Sequence, residues 1–168
     1  MYLFSTLLGL PAHALLVHAA VVLVPLAGLA LAATGWRAGW RKAYSLPVAL
    51  IAAAGGLFTI LAAQTRGPLQ RSVREAAEAA GAGRPRFGEH PQQGNTAEFF
   101  AIVLAVTAIG FWAIDRWGPR FGLPKWLPMA SYVAALLPAL LAILSMIAAG
   151  HSGAQLVWKD VGSFAAGA

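Results

Sequence analysis

Leu15-Leu16-Val17-His18-Ala19-Ala20-Val21-Val22-Leu23-Val24-Pro25-Leu26-Ala27-Gly28-Leu29-Ala30-Leu31-Ala32-Ala33-Thr34 contains no formal charge. About 20 helical residues are needed to cross the roughly 30 Å hydrocarbon core of a bilayer. With His13 and Ala14 in front, the stretch is long enough. It is also too long for the apolar segment of a signal peptide, and nothing basic precedes it. It reads as a retained transmembrane helix over about 13–34, with Pro11 at its first turn, where a missing N–H costs little.

Three more runs of this kind follow, over about 43–64, 96–117 and 129–150. Ala52, Gly55 and Gly56 give the second run a small face on which another helix can lie close. Pro25 and Pro138 stand inside the first and fourth runs, where each should bend its helix and free the carbonyl four residues earlier. Between the second and third runs, residues 66–95 read as an outer loop. It carries a short charged helix around Arg71, Arg74, Glu75 and Glu78 that stops at Gly81. Only helices or closed barrels satisfy the backbone in lipid, and these runs are too long and continuous for barrel strands. The expected fold is all-α: an antiparallel four-helix transmembrane bundle forming a single domain over 1–168.

The composition agrees. Of the 168 residues, 59% are hydrophobic and 11% charged, against roughly 25% charged in a soluble domain. Mean hydropathy is +0.68. The absence of cysteine excludes disulfides, iron–sulfur clusters and thiolate metal sites. The formal charge of +6 is not a nucleic-acid signal, because the basic residues cluster between the apolar runs and form no base-reading motif.

Four crossings put both termini and the 66–95 loop on one side and the two short loops on the other. Arg37, Arg41, Lys42, Arg116, Arg120 and Lys125 lie in the short loops, and six basic residues lie opposite. The short-loop charges are packed against helix ends, where the positive-inside rule applies. Five of the six tryptophans are also near this face. The short loops are expected in the cytoplasm, with the termini and the 66–95 loop outside.

All four histidines then share the termini side: His13 and His18 at the start of the first helix, His90 before the third, and His151 at the end of the fourth. Ionisable residues near the membrane interior are costly and are functional candidates. His13 and His18 are about 140° apart around a helix, so they do not present one face to one ion. His18 and His151 could face each other across the bundle. A haem b held by one histidine from each of two helices would fit that arrangement, beside the small residues Ala19, Ala20, Ala148, Ala149 and Gly150. His13 and His90 would form a second pair or supporting groups. Alternatively His13, His18, His90 and His151, with Glu89, would bind zinc or copper. A third reading is a non-catalytic accessory subunit of a larger membrane complex, with the histidines making only interhelical hydrogen bonds. No P-loop, nucleophile elbow or His-Glu-x-x-His is present. Electron transfer or binding therefore suits the chain better than turnover. Redox partners and homo-oligomerisation are left open.

His13-Ala14-Leu15-Leu16-Val17-His18 resembles the His-Pro-x-Leu-Val-His opening of the bacterial membrane family called domain of unknown function 2231. Gly150-His151-Ser152-Gly153-Ala154-Gln155-Leu156-Val157-Trp158 is similar to its Gly-His-x-Gly-Gly-x-Leu-Val-Tyr close, and His90 also fits. The chain departs from the pattern at Ala14, Ala19-Ala20, Ala154 and Trp158, and none of these removes a histidine. The resemblance implies a four-span protein of the inner (cytoplasmic) membrane. Some relatives are joined to Rieske-type iron–sulfur domains, which implies redox work for the family.

Overall fold

The computed structural model describes residues 6–7 and 9–166, with side chains for residue 6 and for 9–158. A two-residue ribbon, β1 (Thr6–Leu7) and β2 (Leu10–Pro11), pairs antiparallel and leads into the helices. These are α1 (Ala12–Thr34), α2 (Ala38–Ala79), α3 (His90–Trp117) and α4 (Leu127–Ala166), with a 3₁₀ turn at Gly118–Phe121. Each is long and apolar enough to cross a membrane. Helices adjacent in the chain pack side by side, and α4 closes the ring against α1. The chain is an all-helical four-span bundle.

The seam is built mainly from alanine. Ala20, Ala27, Ala52, Ala101, Ala108, Ala135, Ala139 and Ala142 are all buried. The driving force in lipid is close packing, because lipid tails are as apolar as leucine. The small face expected around Gly55 and Gly56 is used in this way. A Cβ on Gly55 would come within 2.9 Å of Val24, and one on Gly56 within 3.3 Å of Ala105. Gly28 meets Ile143 just as closely. Many of the large apolar residues point outward: Val22, Leu29, Leu50, Leu57, Val106 and Leu137 are exposed on the bundle and face the hydrocarbon.

At the short-loop end, Arg41 Nε donates to Asp115 Oδ1 at 3.0 Å, with both side chains mostly buried. Tyr132 donates its hydroxyl to the Ala32 carbonyl, and its ring lies over Gly35. Arg37 lies between Trp36 and Trp40, 4.3 and 5.0 Å from the ring centroids. This is the polar-aromatic composition of a membrane interface.

On the short-loop side α2 starts at Ala38 rather than 43, so Arg41 and Lys42 are helical. Three further boundaries differ from the sequence expectation, all on the termini side. α2 does not stop at 64 but runs through Pro68 to Ala79. A proline removes a single ladder bond, and the residues around Arg71, Arg74 and Glu75 are good helix formers. The helix ends where expected, at Gly81. Its φ of +66° allows Gly81 N–H to reach Glu78 and Ala82 N–H to reach Ala77, which closes the helix end in a Schellman motif. α3 begins at His90 rather than 96, with Pro91 in its first turn, where its fixed φ suits a helix. α4 passes Gly150 and Gly153 and continues to Ala166. Residues 80–89 are all that remains of the long loop. Both α1 and α4 also continue through Pro25 and Pro138.

Candidate ligand pocket at the termini end of the bundle

The buried stripe of each helix can be followed toward the termini side. On α1 it runs Leu31, Ala27, Val24, Ala20 and next His13. On α2 it runs Ala52, Thr59, Ala62 and then Arg66. On α3 it starts at His90 and continues through Gly94, Ala97 and Ala101. On α4 it passes Ala142, Met146 and Ala149 and reaches Gly153. At 100° per residue these positions share one face of each helix. The four stripes therefore bring His13, Arg66, His90 and Met146 around one small cavity of about 40 Å³.

Each imidazole is tied to a neighbouring helix. His13 Nδ1–H donates to the Ala62 carbonyl of α2 at 2.8 Å. Thr65 donates its hydroxyl to the same carbonyl at 2.9 Å. A carbonyl can only accept, so the neutral His13 ring carries its free lone pair on Nε2. His90 Nδ1 lies 3.0 Å from Ser152 Oγ on α4. The Ser152 hydroxyl donates to the Ala149 carbonyl at 3.1 Å, which leaves His90 Nδ1–H as the donor to Ser152. Its Nε2 is then free as well. Arg66 donates to the Asn95 side-chain oxygen and, at 3.3 Å, to the Pro91 carbonyl. No carboxylate pairs with it among the described residues.

His18 and His151 lie elsewhere. His18 is about 140° from the buried stripe of α1 by helix phase. It is exposed, and its Nδ1 bonds the Ala14 carbonyl of its own helix. His151 is exposed too, with Nε2 at 3.0 Å from Gln155 Nε2. The expectation that these two would face each other across the interior gives way for that reason. The helix phases turn both rings outward. The larger set of four histidines with Glu89 does not assemble either. Among the described residues, no three histidine, aspartate or glutamate side chains form a metal-sized group.

Arg66, Met146, Thr65 and Ser152 were not singled out from the sequence. The signal for Arg66 and Met146 was their position on the apolar stripes, read at 3.6-residue spacing. Thr65 and Ser152 carry no such signal and become visible only through their contacts.

A family model described as a predicted membrane protein (DUF2231) matches residues 9–165. The chain belongs to the DUF2231 family. Among curated proteins and solved structures, none matches it. The two motifs that mark DUF2231 here now have distinct parts. In the opening motif His13 turns inward and His18 outward. In the closing motif Gly153 is the glycine the packing requires, because a Cβ there would meet the His90 ring at 2.9 Å. Ala154, where the family pattern has a second glycine, is exposed and meets no such limit.

Proposed function

We propose that this DUF2231 protein is an integral membrane binding protein that holds one Cu(I) ion between His13, His90 and Met146. The observation that carries the reading is that two imidazoles, each with Nδ1 tied to a neighbouring helix, line the same small cavity as a buried thioether. Imidazole and thioether together favour soft Cu(I) over hard cations. The hydrogen bonds at Nδ1 are the usual outer partners of a metal-binding histidine. Arg66 also lines the cavity, and its charge opposes any cation. That opposition grows with ion charge, so it weighs twice as heavily on Zn²⁺ as on Cu(I). A volume of about 40 Å³ suits an ion rather than a macrocycle, since cofactor pockets run to several hundred Å³.

The test is copper stoichiometry of the protein purified in mild detergent and loaded with Cu(I) under reducing conditions. About one tightly held ion, lost in His13→Ala and His90→Ala but kept in His18→Ala, is the expected outcome. A metal-free protein under saturating Cu(I) sinks the proposal and leaves the two rings as interhelical hydrogen-bonding groups of an accessory subunit.

A second reading keeps the b haem on His18 and His151. Its support is that both rings are exposed on adjoining helices, His18 one turn before Val21 and His151 next to Gly150, where a Cβ would lie 3.7 Å from Val21. Such a haem would sit on the outer face of the bundle and pass electrons there. A reduced-minus-oxidised spectrum separates it from copper, since Cu(I) has no α-band. For orientation, the basic short loops and their tryptophans support a cytoplasmic placement, with the pocket opening on the outer side.

A further inference from the structure

Among the described residues that line the histidine cavity, Arg66 alone carries a permanent charge, and none is acidic. The guanidinium is held in place. Its Nη1 donates to the Asn95 side-chain oxygen and to the Pro91 carbonyl. Gly94 lies against it, where a Cβ would stand 3.4 Å from Nη2 and 3.7 Å from Cζ. Both oxygens that hold it are neutral, so they orient the charge without cancelling it. No carboxylate pairs with it among the described residues. The imidazoles of His13 and His90 and the Met146 thioether are neutral ligands. An ion bound by them keeps its full charge beside Arg66.

We propose that Arg66 sets the oxidation state of the guest, holding copper as Cu(I) and disfavouring Cu(II); this rests on the Cu(I) reading of the cavity. Loss of one electron from the bound ion adds one positive charge, while its ligands stay neutral. Two unit charges about 10 Å apart, at an effective dielectric of about 20, shift an equilibrium by more than tenfold. Groups around a cavity of about 40 Å³ stand nearer than that. The fixed charge therefore favours Cu(I) over Cu(II) by about tenfold or more, and tenfold is about 59 mV for a one-electron couple. The thioether works in the same direction, because it suits Cu(I), whereas Cu(II) prefers tetragonal nitrogen and oxygen ligands. A substitution at Arg66 leaves the thioether in place and isolates the charge. A fixed charge also acts on each ion in proportion to that ion's own charge. Cu(I) and Zn(II) share a d¹⁰ shell with no geometric preference of its own. Removing the Arg66 charge should therefore raise Zn(II) affinity by twice as many powers of ten as Cu(I) affinity, whatever the distance and dielectric.

The experiment uses the full-length protein in mild detergent, loaded with Cu(I), as the parent chain and as Arg66→Gln, Arg66→Lys and Asn95→Asp. A titration with a one-electron oxidant, followed by the Cu(II) paramagnetic resonance signal, gives the potential. Competition with a chelator gives the Cu(I) and Zn(II) affinities. Arg66→Gln keeps an N–H donor for Asn95 and should lower the potential by about 59 mV or more. Asn95→Asp has the same shape, leaves Arg66 in place and sets a carboxylate against it, so it should lower the potential too. Arg66→Lys loses the planar fork but keeps the charge, and its potential should stay close to that of the parent. A merely structural Arg66 would move the glutamine and lysine variants alike. Equal potentials in the parent, Arg66→Gln and Asn95→Asp, an Arg66→Lys that follows Arg66→Gln, or equal affinity gains for the two ions overturns the proposal and leaves the copper reading standing. A parent chain that takes up no copper under saturating Cu(I) overturns both.

Discussion

The His90 ring of α3 stands against the backbone of α4 at Gly153, where a Cβ would fall 2.9 Å from His90 Cε1. Ser152, the preceding residue, receives the His90 Nδ1–H. One turn of α4 thus both seats the ring and bonds it. Gly153→Ala should push the ring aside and destabilise the bundle by about 1–3 kcal/mol, as overpacking does. Ala154→Gly, one residue on and exposed, should cost only about 1 kcal/mol of helix propensity. Thermal unfolding in detergent measures the difference. Copper stoichiometry should fall with Gly153→Ala and hold with Ala154→Gly.

His13 and His18 make an internal control on one helix. His13→Ala removes the bond to Ala62 and opens a hole in the buried stripe, and about 1–3 kcal/mol of stability should go with it. His18→Ala changes an exposed ring bonded only to its own helix, and its effect should stay within about 0.5 kcal/mol. Chemical denaturation of the two variants side by side gives the comparison. A larger loss from His18→Ala would mean that the outward face of α1 is covered in the membrane.

The Arg41–Asp115 pair ties the start of α2 to the end of α3 at the short-loop face. Both side chains are mostly buried, and breaking such a pair strands the remaining charge. Asp115→Ala and Arg41→Ala should each cost about 2–4 kcal/mol, while the double variant should cost less than the sum. A double-mutant cycle on unfolding free energies checks this. Additive losses would show that the two groups act independently.

Orientation can be read directly because the chain has no cysteine. Single cysteines at Gly83, in the 80–89 loop, and at Gly122, in a short loop, should label differently in intact cells. A membrane-impermeant maleimide should reach Gly83→Cys and spare Gly122→Cys. The opposite pattern would invert the assignment of the short loops to the cytoplasm.

The four spans were legible because a charge-free run of about 20 residues has few other uses. Their ends on the termini side were not. Pro68, Pro91, Gly150 and Gly153 read as punctuation, yet helices α2, α3 and α4 run through or begin at them. Helix packing outweighs local propensity at these positions, most visibly where His90 covers Gly153. For the histidines, the termini end of the bundle was legible from the number of spans, and the phase around each helix was not. His18 was expected to face His151 across the bundle. However, depth along the axis and direction around it are separate coordinates, and it is the 100° step from Ala20 and Val24 that turns His13 inward.

The alanine seam has one more consequence. From Ala20 to Leu31 on α1, and along the facing stripes, the helices touch through methyl groups and backbone. Because the contacts there are only a methyl deep, a carbon added at Gly28, Gly55 or Gly56 has a neighbour within 3.3 Å to displace. Size alone therefore limits substitution along the seam, whatever the polarity of the newcomer.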